Sequence, residues 1–466
     1  MMLMSPELKT VKEVNENQCQ ICMPLGAVMA MKGIEGSMTL VHGSQGCSTY
    51  MRLSMVEHFN EPVDIASSSL NEKQTIYGGE ENLRKGLDNV IRVYHPSVIG
   101  VVTTCMTETM GEDINRMIDT YLTDRKLYDV DIIPISTPSY SGTHTEGFWT
   151  AIRDIIVYYS GPTKPNECIN IILPQVSPAD TREIKRILDL MEIQYILMPD
   201  ISQTLDRPFK TTYEKIPPGG TKKENIARMS GARATIQFGY NCPENLSPGT
   251  YLEEEFGVPL YNLPLPVGLQ NMDTFIETLR SITHKQVPDS LILERGWLCD
   301  AMADSHKYMA EVHPAVYGEP ELAYAIYSLC LENGSIPEIV ATGTNCQVFQ
   351  KHLQSLMKRE KQSSIKYEQV DFSIIEAESI RTGVNLAIGH SGGKVLTERL
   401  NIPVVRVGYP IHDRVGGQRI LTVGYSGTLS LLERMVNAYL EEKYRTYRQL
   451  RKAEYYDNGG IIHAET

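Results

Sequence analysis

Short apolar runs alternate along the chain with longer stretches whose apolar residues recur at helical spacing. In the first third, the runs at residues 38–41, 96–104 and 131–136 contain few polar positions, as expected of buried parallel strands. Residues 24–36 and 49–59 have helical spacing, and a glycine ends the first of these stretches. This alternation of strands and helices predicts an α/β fold.

The same alternation recurs in two further blocks, separated from the first by a Pro- and Gly-containing linker at residues 161–166. The second block has a predicted helix at 181–191 and strands at 168–173, 195–198, 235–238 and 259–262. The third has a final helix at 431–450 and strands at 315–317, 338–342, 384–389 and 404–407. We therefore predict three Rossmann-like domains with mostly parallel sheets, at residues 1–163, 164–288 and 289–466.

Composition narrows the class of protein. Hydrophobic residues make up 42% of the 466 residues and charged residues 22%, which is typical of a globular protein with sizeable cores. No apolar run approaches the roughly 18 residues of a membrane span, and the N-terminus lacks a signal pattern. We therefore expect a soluble, cytoplasmic protein with no membrane partner, and residues 1–18 as a polar arm. The net charge of −13 argues against nucleic-acid binding.

The nine cysteines are odd in number and widely spread, unlike a secreted disulfide framework. Cys19 and Cys22 form a C-x-x-C pair, but no second pair at zinc-finger spacing accompanies them, and no strand precedes them as in a thioredoxin-like site. We expect five others to be buried apolar thiols: Cys168, Cys242, Cys299, Cys330 and Cys346.

The most informative motif is VHGSQGC at residues 41–47, a glycine-containing turn that leads to Cys47. Such a turn can bring backbone N–H groups and a sulfur against a metal–sulfur cluster, although an ordinary tight turn has the same composition. Cys105 follows the predicted strand at 96–104 and precedes a helix expected near Glu108, where a thiolate is favoured. Ser139 follows the next strand, where it is equally suited to ligate a metal or to cap the following helix.

Three other features have simpler interpretations. The Gly78–Gly79 turn lacks a P-loop pattern and predicts a helix start rather than a phosphate site. His58 is expected to be a surface or interface histidine. A polar segment near the C-terminus is expected to form an interface salt network rather than a catalytic set, through His412, Asp413, Arg414 and Arg419.

The motifs around Cys22, Cys47, Cys105 and Ser139 together resemble those of the nitrogenase component 1 family, and within it the β-type chain. The resemblance implies that the three cysteines are thiolate ligands of the P-cluster, an eight-iron cluster shared with an α chain. Ser139 lies where that family has a serine ligand, and Cys19 is expected to be a neighbour of the ligands.

The resemblance also implies partners. An α₂β₂ heterotetramer would receive electrons from an iron protein, which uses ATP, and the P-cluster would pass them to a cofactor on the α chain. Residues 300–309 and 407–419 resemble the β-type chain of the iron–molybdenum cofactor assembly scaffold at least as well. Because many scaffold chains keep only the cysteine of HGSQGC, the presence of Cys22, Cys105 and Ser139 favours the reductase. The substrate and the cofactor metal lie outside this chain.

Overall fold

The structure, a computed structural model, describes residues 19–126, 129–359 and 364–452; the predicted arm at residues 1–18 lies outside them. The described residues contain three sheets, and every strand pairing within them is parallel. Each sheet is formed within one of the three predicted blocks. The predicted α/β class is therefore confirmed.

The first sheet is built from Ser37–His42 (β1), Ala66–Ser67 (β2), Val98–Thr103 (β3) and Asp131–Ile135 (β4). Its spatial order is β2–β1–β3–β4, and β1 and β3 are buried along their whole length. The helices of this unit are Met23–Met31 (α1), Gln45–Phe59 (α2), Glu72–Tyr77 (α3), Glu80–Tyr94 (α4), Cys105–Met110 (α5), Ile114–Arg125 (α6) and His144–Tyr159 (α7). Strand β2 was not predicted.

The second sheet is built from Ile169–Ile172 (β5), Tyr195–Met198 (β6), Ala234–Gln237 (β7) and Leu260–Asn262 (β8), in the order β6–β5–β7–β8. All four strands were predicted. The helices are Pro178–Leu190 (α8), Lys223–Arg228 (α9), Pro248–Phe256 (α10) and Leu269–Thr283 (α11). Helix α8 begins at Ser177, whose hydroxyl accepts the Asp180 N–H in a capping box.

The third sheet has five strands, one more than predicted: Pro314–Tyr317 (β9), Ile339–Ala341 (β10), Ile365–Tyr367 (β11), Leu386–Gly389 (β12) and Val404–Arg406 (β13). Their order is β11–β10–β9–β12–β13. The helices are Asp289–Met309 (α12), Pro320–Glu332 (α13), Gln347–Arg359 (α14), Phe372–Thr382 (α15), Lys394–Leu400 (α16) and Gly424–Lys452 (α17). The final helix therefore begins seven residues before the predicted start.

Helix α1 is buried at all nine positions and crosses α7 with the two backbones in direct contact. A Cβ atom built on Gly26 would lie 1.7 Å from the carbonyl oxygen of His144, and one built on Gly147 would lie 1.9 Å from that of Met23. Only glycine allows this approach. The crossing fixes the N-terminal end of α1, and with it Cys22, against the start of α7.

The units share their cores. One buried apolar cluster contains residues of both the first and second sheets, such as Ile133 and Ile172, and another joins the second unit to the third through α17. Among the described helices, none combines the length and the apolar character needed to cross a membrane.

Candidate metal centre

Two of the predicted cysteines lie at the same edge of the first sheet. Strands β1 and β3 are parallel neighbours, so their C-terminal ends meet, and α2 and α5 begin just beyond them. Cys47 is the third residue of α2 and Cys105 the first of α5. The expectation of a loop thiol at Cys47, and of a helix start near Glu108, is corrected: both thiols stand in the first turn of a helix.

Cys22 reaches the same sheet edge from a different element. It is the N-cap residue of α1, and its backbone forms an antiparallel bridge with Thr143, the N-cap residue of α7. Burial is the main cause of a raised pKa at Cys22, and the thiols of Cys47 and Cys105 raise it further. Burial also raises the pKa of Cys47, again with a contribution from Cys105. The three thiols are thus electrostatic neighbours.

Exposure separates these cysteines from most of the others. Cys22 and Cys105 are exposed and Cys47 is half-buried, whereas Cys19, Cys168, Cys242, Cys330 and Cys346 are buried. Cys299 is partly exposed on α12, so its assignment as a buried thiol was wrong. The three predicted ligands are therefore the cysteines with accessible thiols at this sheet edge.

The donor set fits an iron–sulfur cluster better than a single ion. Thiolate sulfur is the ligand type that such clusters take in proteins. Within residues 19–126, 129–359 and 364–452, however, no group of three or more His, Cys, Asp or Glu side chains is arranged around one metal position. The three thiols thus share one sheet edge and the ligand chemistry of iron–sulfur clusters.

Ser139 lies half-buried in the turn between β4 and α7. The cap of α7 is Thr143, in a capping box with Glu146, so the interpretation of Ser139 as that helix cap is wrong. Together with Gln20 and Gly142, Ser139 lines a polar groove of about 620 Å³. The hydroxyl is on the side of the molecule where the Cys22 segment pairs with Thr143.

Close contacts between two turns fix Cys47 relative to Cys105. A Cβ atom on Gly43 would lie 2.5 Å from the side chain of Thr104, so this glycine is required for packing. The hydroxyls of Thr104 and Thr107 donate to the carbonyl oxygen of His42, at 3.1 and 3.2 Å. These two threonines were not recognised in the sequence.

His42, the second residue of the VHGSQGC motif, is fully buried. Its Nε2 lies 2.7 Å from a carboxylate oxygen of Glu112, and its Nδ1 lies 2.9 Å from the hydroxyl of Ser68, which also accepts the N–H of Gly43. Although burial opposes ionisation of Glu112, hydrogen bonds from His42 and the Gly79 N–H lower its pKa. The Gly78–Gly79 turn thus precedes α4, as predicted, and binds a carboxylate of the protein.

Comparisons with known proteins agree with this geometry. The family model for nitrogenase component 1 type oxidoreductases matches residues 22–440. The chain belongs to the nitrogenase component 1 family. The nitrogenase molybdenum-iron protein beta chain of Methanococcus maripaludis is 35% identical over 459 residues, covering 94% of this chain and 98% of the relative. The protein of the same name from Clostridium pasteurianum is 36% identical, covering 94% and 95%.

A solved structure described as nitrogenase Cp1 at pH 6.5 superimposes with a TM-score of 0.90 at 35% identity, covering 95% of this chain and 96% of that one. The predicted family and β type are therefore confirmed, as is the assignment to an oxidoreductase subunit of nitrogenase.

In this component 1 chain, the third unit supports the elements that carry the thiols. His58 on α2 was expected at the surface or at an interface; it is only 3% exposed and lies at an interface within the chain, where its Nδ1 accepts the Ile411 N–H at 2.9 Å. Burial lowers the pKa of His58 to about 4, so the imidazole is neutral near pH 7. On the same helix, Ser54 hydrogen-bonds the hydroxyl of Tyr409 at 2.7 Å.

The residues of the predicted salt network are divided between two separate groups of ion pairs, one around Asp413 and one around Asp206. Asp413 pairs with Arg406 at 2.5 Å and with Arg414 at 3.5 Å. Arg419 instead pairs with Asp206 of the second unit at 2.9 Å. His412 contributes its backbone N–H, which donates to Ser391, so its inclusion in a salt network was wrong.

Proposed function

We propose that this chain is the β-type subunit of a nitrogenase component 1 reductase, in which Cys22, Cys47 and Cys105 ligate the eight-iron P-cluster at the interface with an α-type subunit. The observation that carries the proposal is the meeting of three accessible thiols, from the first turns of two helices and the N-cap of a third, at one sheet edge. The names of the relatives support the β-type assignment. Ser139 is proposed as a further ligand.

The role of the three cysteines is to lose their protons and bind as thiolates. Burial raises the pKa of Cys22 and Cys47, so these two thiols are protonated near pH 7 when no metal is bound. Ligation must release these protons, and it is therefore favoured at higher pH. When bound, the cluster would store electrons received from the ATP-dependent iron protein and pass them to the cofactor of the α chain.

The surface around the thiols supports a covering partner. Tyr50 and Leu53, on the same helix as Cys47, are 75% and 52% exposed, and Tyr140 beside Ser139 is 69% exposed. Exposed apolar side chains grouped beside a functional site are typical of an interface. We propose that an α-type chain covers them and that two such pairs form a heterotetramer. We also propose a cytoplasmic location for this complex, because the proposed iron protein uses ATP.

The proposal is tested by metal analysis of the complex purified with its α-type partner. We expect more iron for each αβ pair than one four-iron cluster contains, with a matching electron paramagnetic resonance spectrum. A single four-iron cluster for each pair would contradict the P-cluster assignment and would support the cofactor assembly scaffold instead.

Alanine substitutions test the individual ligands. Cys47→Ala should abolish the intact cluster, Cys22→Ala and Cys105→Ala should lose most of it, and Ser139→Ala should have a mild effect. The matched control is Cys330→Ala, which removes a buried thiol from α13 and should cost about 1 kcal/mol of stability while iron content is kept. Loss of the cluster in Cys330→Ala, with retention in Cys105→Ala, would refute the ligand assignment.

A further inference from the structure

A buried histidine–carboxylate pair lies directly behind the segment that carries Cys22. His144 is the first residue of α7, and Glu319 belongs to the third unit, 175 residues further along the chain. The Nε2 atom of His144 lies 3.2 Å from Oε1 of Glu319. Their side chains are 5% and 8% exposed, so this contact is shielded from water.

His144 holds the residue that precedes Cys22 by two hydrogen bonds. Its backbone N–H donates to the carbonyl oxygen of Ile21 at 2.9 Å, and its Nδ1 lies 3.3 Å from the backbone nitrogen of Ile21. Because the Ile21 N–H can only donate, Nδ1 must be the acceptor. In a neutral imidazole the proton is then on Nε2, where it faces Glu319.

Glu319 is free to make this contact because of its place in the fold. It is the N-cap residue of α13, yet its side chain makes no capping hydrogen bond to its own helix. Burial opposes ionisation, but the hydrogen bond from His144 and the nearby His390 outweigh it, so the pKa of Glu319 is lowered. A carboxylate accepts hydrogen bonds and cannot donate them, so it allows only the Nε2–H tautomer of a neutral His144.

Glu319 and Cys22 both act electrostatically on one further residue, Tyr409. Burial raises the pKa of Tyr409, and negative charge at Glu319 and at Cys22 both raise it further. Tyr409 therefore lies within electrostatic reach of both groups. A change of charge at Glu319 is expected to act on the ligand as well as on His144.

We propose that Glu319 and His144 are positioning residues for the metal centre: Glu319 fixes the Nε2–H tautomer of His144, and the free Nδ1 of that tautomer holds the Ile21 amide so that Cys22 faces its ligand position. This inference rests on the proposed function only for the identity of the metal group. The hydrogen-bond relay itself belongs to the metal-free protein and can be tested there.

The first test is Glu319→Gln, which keeps the shape of the side chain and removes its charge. The amide introduced by this substitution can either accept from or donate to Nε2, so both tautomers of His144 become possible, and the Nδ1–H tautomer cannot accept the Ile21 N–H. The matched control is Glu321→Gln, on the same helix and similarly buried, because Glu321 binds Asn241 instead.

Nitrogen NMR of labelled histidine in the iron-free αβ complex should show one tautomer at His144 in the wild type and in Glu321→Gln, and a mixture in Glu319→Gln. In the loaded complex, Glu319→Gln should release iron to a chelator about 10-fold faster or more, as is typical for loss of an outer-shell partner. Its cluster midpoint potential should shift to more positive values because an anion is lost. A single Nε2–H tautomer and unchanged iron release in Glu319→Gln would overturn the proposal.

A second pair of variants covers the case in which Glu319→Gln folds poorly. In the otherwise wild-type chain, His144→Asn supplies a side-chain oxygen near the place of Nδ1, whereas His144→Ala supplies none. Iron retention should be higher in the asparagine variant than in the alanine variant. Equal retention in the two would refute the role of Nδ1. A wild-type complex without any cluster would instead refute the proposed function, and the tautomer comparison would still decide the relay.

Discussion

Gly26 and Gly147 allow α1 and α7 to touch backbone to backbone, and this contact sets the position of Cys22. Replacing Gly26 by alanine introduces a Cβ atom only 1.7 Å from the carbonyl oxygen of His144 and 2.6 Å from the nitrogen of Phe148. An unstrained contact between carbon and oxygen is about 3.3 Å, so the helices must separate by about 1.5 Å. Neither neighbouring atom belongs to a side chain that could rotate away.

The separation has two consequences. It strains a fully buried helix, for which overpacking costs typically reach about 3 kcal/mol, or about 6–12 °C in melting temperature for a unit of this size. It also lengthens the hydrogen bonds that join Ile21 to His144, now 2.9 and 3.3 Å, beyond hydrogen-bonding range. Cys22 should therefore move away from Cys47 and Cys105, and the complex should retain less iron.

The assay compares melting temperature and iron content of the αβ complex at one protein concentration. Gly147→Ala should behave like Gly26→Ala, because its Cβ atom would lie 1.9 Å from the Met23 carbonyl oxygen. The control is Gly296→Ala, in the exposed part of α12 with no atom within 4 Å, which should gain up to about 1 kcal/mol from helix propensity. Wild-type melting and iron content in Gly26→Ala would refute the reasoning.

Two further predictions concern buried groups near the site. Thr107→Val removes the hydroxyl that accepts the buried Thr104 N–H at 3.0 Å, which should cost about 1–3 kcal/mol and speed iron release. The control is Thr109→Ser on the exposed face of α5, which keeps the hydroxyl that donates to the Cys105 carbonyl oxygen at 2.7 Å and should change neither stability nor iron release. Burial raises the pKa of Glu321 from 4.5 to about 8. Between these pH values the folded state keeps a proton that the unfolded state loses, so the stability of the folded state should fall as the pH rises from about 4.5 to 8. Glu321→Gln should abolish that fall, and identical pH profiles of melting would contradict the assignment.

Most of the fold follows from the apolar runs, and the misses have physical causes. Strand β2 has only two residues and β11 only three, too few to show a periodicity. The first turns of α17 contain Gly424, Ser426 and Gly427, which are weak helix formers, so packing against α8, α11 and α12 decides the helix start. The domain boundaries near residues 163 and 288 stay predictions.

The residues of the candidate site also divide into those that the sequence predicted and those that it did not. Cys47 and Cys105 have recognisable local settings, a glycine-containing turn and a strand end, whereas Cys22 joined them only through the resemblance of the combined motifs to the nitrogenase component 1 family. The role of Gly43 was not predictable, because it depends on the approach of Thr104 from another strand end. Buried His42 and His58 carry no local pattern that distinguishes them from surface histidines.

The residues that hold the candidate metal centre in place come mainly from parts of the chain that are distant from the cysteines in sequence. The third unit contacts each element around Cys22 and Cys47: Glu319 binds His144, Tyr409 binds Ser54, and the Val370 carbonyl oxygen accepts the Cys19 N–H. These contacts are polar and buried, so breaking one leaves a polar group without its hydrogen-bond partner. The free-energy cost of that unpaired group holds each element in its original position. The first unit supplies the thiols, and the third unit restrains the two helices and the N-terminal segment on which their spacing depends.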